Sequence, residues 1–299
     1  MSEVIWSQWQ DLQVPAGFTA LHPGNCDLDS ADLSAITFYV PQYMGGKQAL
    51  EYSKKMSSLK YLQVPNAGFD DAIEYLKSGT ILCNARGVHD DSTAELAVGL
   101  AIAVRRGFHD FVRAQDRGIW AHKRYPSFSD SVVAIVGYGS IGQSLAKKLS
   151  GFELSVTAFS RSGKDGAKTL DQLDGFLPKA DIVFLTLPLN AESKHLFNKE
   201  RIAKMKDGSL IVNVGRGPII DTDALLAELN SGRIFAGLDV TDPEPLPADH
   251  QLWGAPNLLI APHVGGDSTA FEARGKKLVE EQLARLAAGT ELINIVGRG

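Results

Sequence analysis

The sequence predicts an α/β protein in which a doubly wound parallel-sheet domain is inserted into a smaller α/β domain. Three observations lead there. From Ser131 onward, six short apolar runs (VVAIVG, LSVTAFS, ADIVFLTL, SLIVNVG, IFAGLDV and NLLIAPHV) alternate with helix-patterned segments. The runs are apolar almost throughout, without polar alternation, as in strands buried on both faces of a parallel sheet. Two long helical patterns, STAELAVGLAIAVRRGFHDFVRAQDRG and STAFEARGKKLVEEQLARLAAG, bracket them. The economical arrangement sets the six-strand domain, residues 99–269, within a domain made of 1–98 and 270–299, with the last helix returning to the N-terminal part.

Taken in order, EVIWSQ, AITFYV, YLQVPNA and ILCNAR are candidate strands of the first domain, with GGKQALEYSKKM as a helix between two of them. In the second domain, SIGQSLAKKLSG carries Ile141, Leu145 and Leu149 on one face, with Gly151 as a stop. DTDALLAELNSG opens on a capping aspartate and closes at Gly232.

Composition narrows the function. The 299 residues carry 30 basic and 35 acidic side chains, mixed along the chain, for a formal net charge of −5. Without a polybasic run, neither nucleic acid nor an anionic membrane is an expected partner, and small molecules are favoured. No apolar stretch approaches the roughly 20 residues of a membrane span, and MSEVIWSQWQ lacks the features of an export signal, so a cytoplasmic protein is expected. Cys26 and Cys83 lie far apart, which fits buried thiols rather than a metal site or a disulfide.

The motif with the most specific context is Gly137-Tyr138-Gly139-Ser140-Ile141-Gly142, which directly follows one strand and opens a helix. Gly137 permits the tight turn, Gly139 the approach of backbone to a pyrophosphate, and Gly142 close helix packing, with the helix N-terminus facing the phosphate charge. The bland alternative is a structural glycine turn. In such a fold, ligands bind beyond the carboxyl ends of the strands. Arg216 follows SLIVNVG, Glu244 lies in the loop after IFAGLDV, and His263 ends NLLIAPH. A histidine that moves a proton, a carboxylate that raises its pKa and an arginine that holds a carboxylate suit redox chemistry at a carbinol or carbonyl. Asp239, closing its strand, is placed to meet a nicotinamide carboxamide. Singly, each could be an ordinary loop residue; the set is what carries the inference.

The motifs VGYGSIG, TLPLN, NVGRG, GLDVTDPEPLP and APHVGG, in this order and spacing, resemble the D-isomer-specific 2-hydroxyacid dehydrogenase family. YLQVPNAGFDD and ARGVHDDSTAELAVGLAIAVRR extend the resemblance over nearly the whole chain. It implies a Rossmann domain inserted into a smaller flavodoxin-like substrate domain, closing on each other around the reactants. It also implies hydride transfer between a nicotinamide cofactor and a small 2-keto or 2-hydroxy acid. In that pattern Arg216 binds substrate, His263 is the acid/base that also contacts substrate, and Glu244 is its partner. Asp239, Leu187 and Pro188 border the nicotinamide, Val214 and Gly215 bind the cofactor, and backbone N–H groups of Asn66, Ala67 and Gly68 hold the substrate carboxylate. Arg86 and His89 receive no role beyond packing at the domain junction. No metal is implied.

At the end of the second strand of that domain, where an acid usually binds the adenosine ribose 2′-OH, the sequence reads Ser160-Arg161-Ser162, with Lys164 close by. A cation and two hydroxyls suit a 2′-phosphate, so NADP is the expected cofactor, with NAD possible. The resemblance to NADPH-using glyoxylate/hydroxypyruvate reductases includes GLDVTDPEPLP, which makes those acids the first substrates to expect. The alternatives are another small anion, or a corepressor-type nucleotide sensor without turnover. The resemblance also implies a homodimer whose arm, FVRAQDRGIWAHKRYPSF, offers Phe111, Ile119, Trp120 and Tyr125.

Overall fold

The computed structural model describes residues 3–299; Met1 and Ser2, which begin the stretch read for an export signal, lie outside it. In chain order come β1 (Glu3–Trp6), β2 (Phe18–Leu21), β3 (Phe38–Tyr39), α1 (Gly46–Glu51), β4 (Tyr61–Gln63) and β5 (Ile81–Cys83). Then follow α2 (Asp90–Arg105), α3 (Phe108–Gln115), β6 (Val132–Val136), α4 (Ser140–Leu149), β7 (Ser155–Ser160), β8 (Lys168–Thr169), α5 (Leu173–Phe176) and β9 (Ile182–Leu185). The chain continues through α6 (Lys199–Ala203), β10 (Leu210–Asn213), α7 (Thr222–Asn230), β11 (Phe235–Leu238) and β12 (Leu258–Ile260), and ends on α8 (Ala270–Ala287) and β13 (Ile295–Arg298).

Two compact units result, Met1–His89 with Thr269–Gly299, and Asp90–Ser268. The first unit's sheet runs β2-β1-β3-β4-β5-β13, parallel except for β13. Its first five strands follow the flavodoxin-like 2-1-3-4-5 order. Ile36, Tyr39, Leu62 and Leu82 pack one side of that sheet, and Ile5, Phe38 and Val279 the other. Cys26 and Cys83 are buried free thiols, and burial pushes the Cys83 thiol up to about 12.

The second unit's sheet is parallel throughout in the order β12-β11-β10-β9-β6-β7-β8. That is the doubly wound 3-2-1-4-5-6 order with one strand added, and its switch point lies between β6 and β9. Each of the six expected strands is present. Short β8, exposed Lys168 and half-buried Thr169, was not foreseen. The capping aspartate is Asp221, whose side chain accepts from the Ala224 amide, and Gly232 follows the helix with φ +75.

Two expectations need correction. The junctions expected at 98/99 and 269/270 fall at 89/90 and 268/269, because the first half of α2 already carries Ala94 and Ala97 into the core of the second unit. The unbroken helix expected from Ser92 stops at Arg105 and restarts at Phe108. Gly107 takes φ +68 there, and a Cβ on it would lie 2.2 Å from the Tyr125 ring. α4 ends where expected, with Ser150 as its cap and Gly151 the next residue.

Candidate active site

The turn after β6 is fixed by backbone contacts. Gly137 has φ +103, and a Cβ on it would lie 2.8 Å from the backbone of Thr186 and Leu187. Thr186 Oγ1 donates to the Gly137 carbonyl at 2.5 Å. A Cβ on Gly142 would sit 2.1 Å from that same carbonyl oxygen, so α4 packs against the turn only because position 142 is glycine. At Gly139 an added Cβ would meet nothing within 4 Å, and no side chain caps α4 there. This open approach to an uncapped helix N-terminus, at the switch point of the sheet, fits a dinucleotide pyrophosphate. Ser140 donates its hydroxyl to Asp90 at 3.1 Å. Tyr138 packs half-buried beside the core, and Ile141 is likewise half-buried.

Beyond β9, Leu187 presents its backbone to Gly215, where a Cβ would lie 2.7 Å from the Leu187 carbonyl. The Pro188 carbonyl accepts from the Ser193 hydroxyl at 2.7 Å. Val214 is buried and donates its amide to Leu185.

The turn after β10 presents Arg216. Asn213 Oδ1 accepts from the Gly215 amide at 3.0 Å, and Asn213 Nδ2 donates to the Arg216 carbonyl at 2.9 Å. The guanidinium donates to the Gly215 carbonyl at 2.8 Å. A Cβ on Gly217 would stand 1.8 Å from the Thr241 carbonyl, so the turn is wedged against the end of the neighbouring strand.

His263 and Glu244 meet. His263 Nδ1 donates to Glu244 Oε1 in a short hydrogen bond, with both side chains partly exposed. This bond is the main cause that raises the His263 pKa above its ordinary value, against partial desolvation; Arg216 lowers it slightly. His263 adopts φ +55, unusual for a residue with a side chain. Asp239, buried at the end of β11, explains how that backbone persists. Its carbonyl accepts from the His263 amide at 2.8 Å, and its carboxylate accepts from the amides of Val264 and Gly265 at 2.8 and 3.0 Å. Burial pushes the Asp239 carboxyl above its ordinary value. Arg216, Asp239, Glu244 and His263 thus gather at the ends of β10, β11 and β12.

At the end of β7, Ser160 Oγ accepts from the Gly163 amide at 3.1 Å and Ser162 Oγ from the Lys164 amide at 3.4 Å. The Arg161 side chain is 78% exposed and pairs at 3.3 Å with Glu192, itself 68% exposed. In the first unit, Asn66, Ala67 and Gly68 form the loop after β4, with Asn66 exposed and the other two half-buried.

Sequence reasoning missed Thr186, Asn213 and Glu192, and saw Asp239 only as a ligand contact. Thr186 and Asn213 stand inside TLPLN and NVGRG, so position in those motifs could have found them. The Glu192 pairing is nonlocal and left no signal. Among the described residues, no group of three His, Cys, Asp or Glu is placed to hold a metal, and no helix is long and apolar enough to cross a membrane.

Residues 98–265 match the model of the D-isomer specific 2-hydroxyacid dehydrogenase NAD binding domain. A glyoxylate reductase of Thermofilum pendens is 35% identical over 77% of this chain and 70% of its own length. Among solved structures, a D-isomer specific 2-hydroxyacid dehydrogenase family protein from Aeromonas salmonicida matches with a TM-score of 0.86 at 27% identity, over 99% of each chain. An NADPH-dependent glyoxylate/hydroxypyruvate reductase from Sinorhizobium meliloti, in complex with NADP and sulfate, matches with a TM-score of 0.81 at 25% identity, over 99% of this chain and 98% of the other.

Proposed function

The chain belongs to the D-isomer-specific 2-hydroxyacid dehydrogenase family, and we propose that within it the protein reduces glyoxylate, hydroxypyruvate or a similarly small 2-keto acid with NADPH. The observation that carries this is the His263–Glu244 pair, gathered with Arg216 at the ends of three adjacent parallel strands. A nucleotide sensor has no use for such an acid/base pair.

The cofactor's pyrophosphate is assigned to the Gly137–Gly142 turn, where Gly139 leaves the backbone open. Leu187, Pro188, Val214, Gly215 and Asp239 would border its nicotinamide. When bound, the reduced nicotinamide supplies a hydride to the carbonyl carbon. The chain's own groups do the rest. Because Nδ1 of His263 donates to Glu244, Nε2 is left to give a proton to the carbonyl oxygen. Glu244 raises the His263 pKa, which keeps the imidazolium, the form needed for reduction, populated to higher pH. Arg216 binds the substrate and offsets the charge that builds on its oxygen. The backbone N–H groups of Asn66, Ala67 and Gly68 hold the carboxylate.

NADPH preference is supported by Ser160, Arg161 and Ser162 at the end of β7, with Lys164 nearby and an exposed guanidinium free of burial. The Arg161–Glu192 pair must yield to a 2′-phosphate. We assign the protein to the cytoplasm and to a homodimer. Exposed Phe111, Ile119 and Trp120 support the dimer, while Tyr125 already bonds Asp110 at 2.6 Å; light scattering reads the mass.

The test follows NADPH and NADH absorbance with a panel of 2-keto acids that includes glyoxylate and hydroxypyruvate. Higher kcat/KM with NADPH on one of these two acids is expected. A clear NADH preference refutes the cofactor assignment, and reduction of no small 2-keto acid in the panel refutes the substrate assignment.

A further inference from the structure

We infer that Asn84 and His89 are positioning residues for the substrate carboxylate, forming a clamp that aims the N–H groups of the Asn66–Gly68 loop. The inference rests on the carboxylate-binding role proposed for that loop. Three consecutive carbonyls are tied down from one short stretch of chain. The Pro65 carbonyl accepts from His89 Nε2 at 2.7 Å, the Asn66 carbonyl from the Ala85 amide at 2.8 Å, and the Ala67 carbonyl from Asn84 Nδ2 at 2.6 Å. A carbonyl only accepts, so Nε2 of His89 carries the proton.

The peptide group is planar and trans, so a carbonyl and the N–H of the following residue point in opposite directions. Pinning the carbonyls of Pro65, Asn66 and Ala67 therefore turns the N–H groups of Asn66, Ala67 and Gly68 together toward the other side. Among the described residues none of these three amides donates a hydrogen bond within the chain, although those of half-buried Ala67 and Gly68 would ordinarily find an acceptor. Asn66 and Gly68 instead line a concave pocket with Gln42, Met44 and Phe69. Backbone N–H groups turned to one side of a loop whose Asn66 and Gly68 line a pocket suit a carboxylate.

The clamp is itself rigid. Asn84 and His89 are 6% and 5% exposed. Asn84 Oδ1 accepts from the Arg86 amide at 3.3 Å, which orients its NH2 group toward the loop. The Val88 amide closes a turn onto the Ala85 carbonyl, with Gly87 at φ +97. That turn lets Asn84 and His89, at the two ends of NARGVH, reach the same loop. The His89 ring stacks on Phe271 at 5.4 Å with 3° between planes, and on Tyr43 at 5.5 Å.

Steady-state kinetics on glyoxylate with saturating NADPH test the clamp. His89→Phe keeps a flat ring in the stack but deletes the donor, and Asn84→Asp keeps the shape but replaces the donor with an acceptor. Each is expected to raise KM for glyoxylate about tenfold, with kcat within about threefold of the parent. NADPH affinity stays near the parent's, Tm falls modestly because a buried carbonyl is left unpaired, and His89→Gln, which retains an N–H donor, recovers part of the KM. Ala67→Pro, which removes one of the loop's N–H groups, separates the two claims. If Ala67→Pro leaves KM unchanged, the loop does not bind the carboxylate and the clamp falls with it. If Ala67→Pro raises KM while His89→Phe and Asn84→Asp keep the parental value, the loop stands and the clamp is overturned. A fall in kcat alone in both clamp variants overturns it as well.

Discussion

Gly142 and Arg161 serve the same proposed dinucleotide site but are held in opposite ways. Gly142 is buried where any side chain would strike the Gly137 carbonyl. Arg161 stands largely in solvent, paired with a glutamate that is also mostly exposed. The proposed pyrophosphate end is thus set by backbone sterics at Gly137 and Gly142, where a side chain would clash. The proposed adenosine end carries replaceable surface charge, so on this assignment cofactor choice could change without disturbing the fold.

That contrast can be broken most severely at its rigid side. Gly142→Val places carbon where the Gly137 carbonyl already lies, and overpacking of this kind costs about 1–3 kcal/mol or more. NADPH binding, followed by fluorescence, is expected to be lost, together with a fall in Tm. Parental binding in this variant would mean that the turn is more pliant than its contacts imply.

Glu244→Gln has the next largest effect. It replaces a charge-assisted bond, a type worth about 1.5–3 kcal/mol, with a neutral one, so kcat in reduction should fall about tenfold. The pH profile carries the sharper signature. Glu244 raises the His263 pKa, and reduction consumes the protonated form, so the alkaline limb of the profile should move to lower pH in the variant. An alkaline limb that stays in place separates Glu244 from the titration of His263.

At the exposed end the effects are smaller and selective. Arg161→Ala is expected to raise KM for NADPH about tenfold, as for loss of one charge-assisted contact, with KM for NADH nearly unchanged. Glu192→Gln frees the guanidinium from its partner and should improve NADPH binding by about two- to threefold, the scale of an exposed ion pair. Equal loss for both cofactors in Arg161→Ala would assign that side chain to adenine stacking rather than to phosphate.

Much of this architecture is legible in the sequence because parallel strands buried on both faces leave long apolar runs. β8, with two residues, and β2 and β13, with four apiece, are partly exposed edge strands and leave none. The break at Gly107 was hidden in a pattern that reads as helix on both sides. Its cause is the Tyr125 ring, distant in sequence. Arg216, Glu244 and His263 were findable because each directly follows a recognisable strand or lies in the loop after one. The part Asp239 plays was not, since its carboxylate reaches across to Val264 and Gly265. The three pinned carbonyls before Gly68 likewise depend on a contact between separate loops.

The central claim, proton transfer by His263 in a cofactor-dependent reduction, is met most directly by one paired measurement on His263→Ala: kcat for reduction of glyoxylate, and Kd for NADPH. The account predicts a kcat lower by about 10²–10⁴-fold, the usual contribution of a general acid, with Kd within about twofold of the parent. A His263→Ala protein that turns over at the parental rate would contradict it.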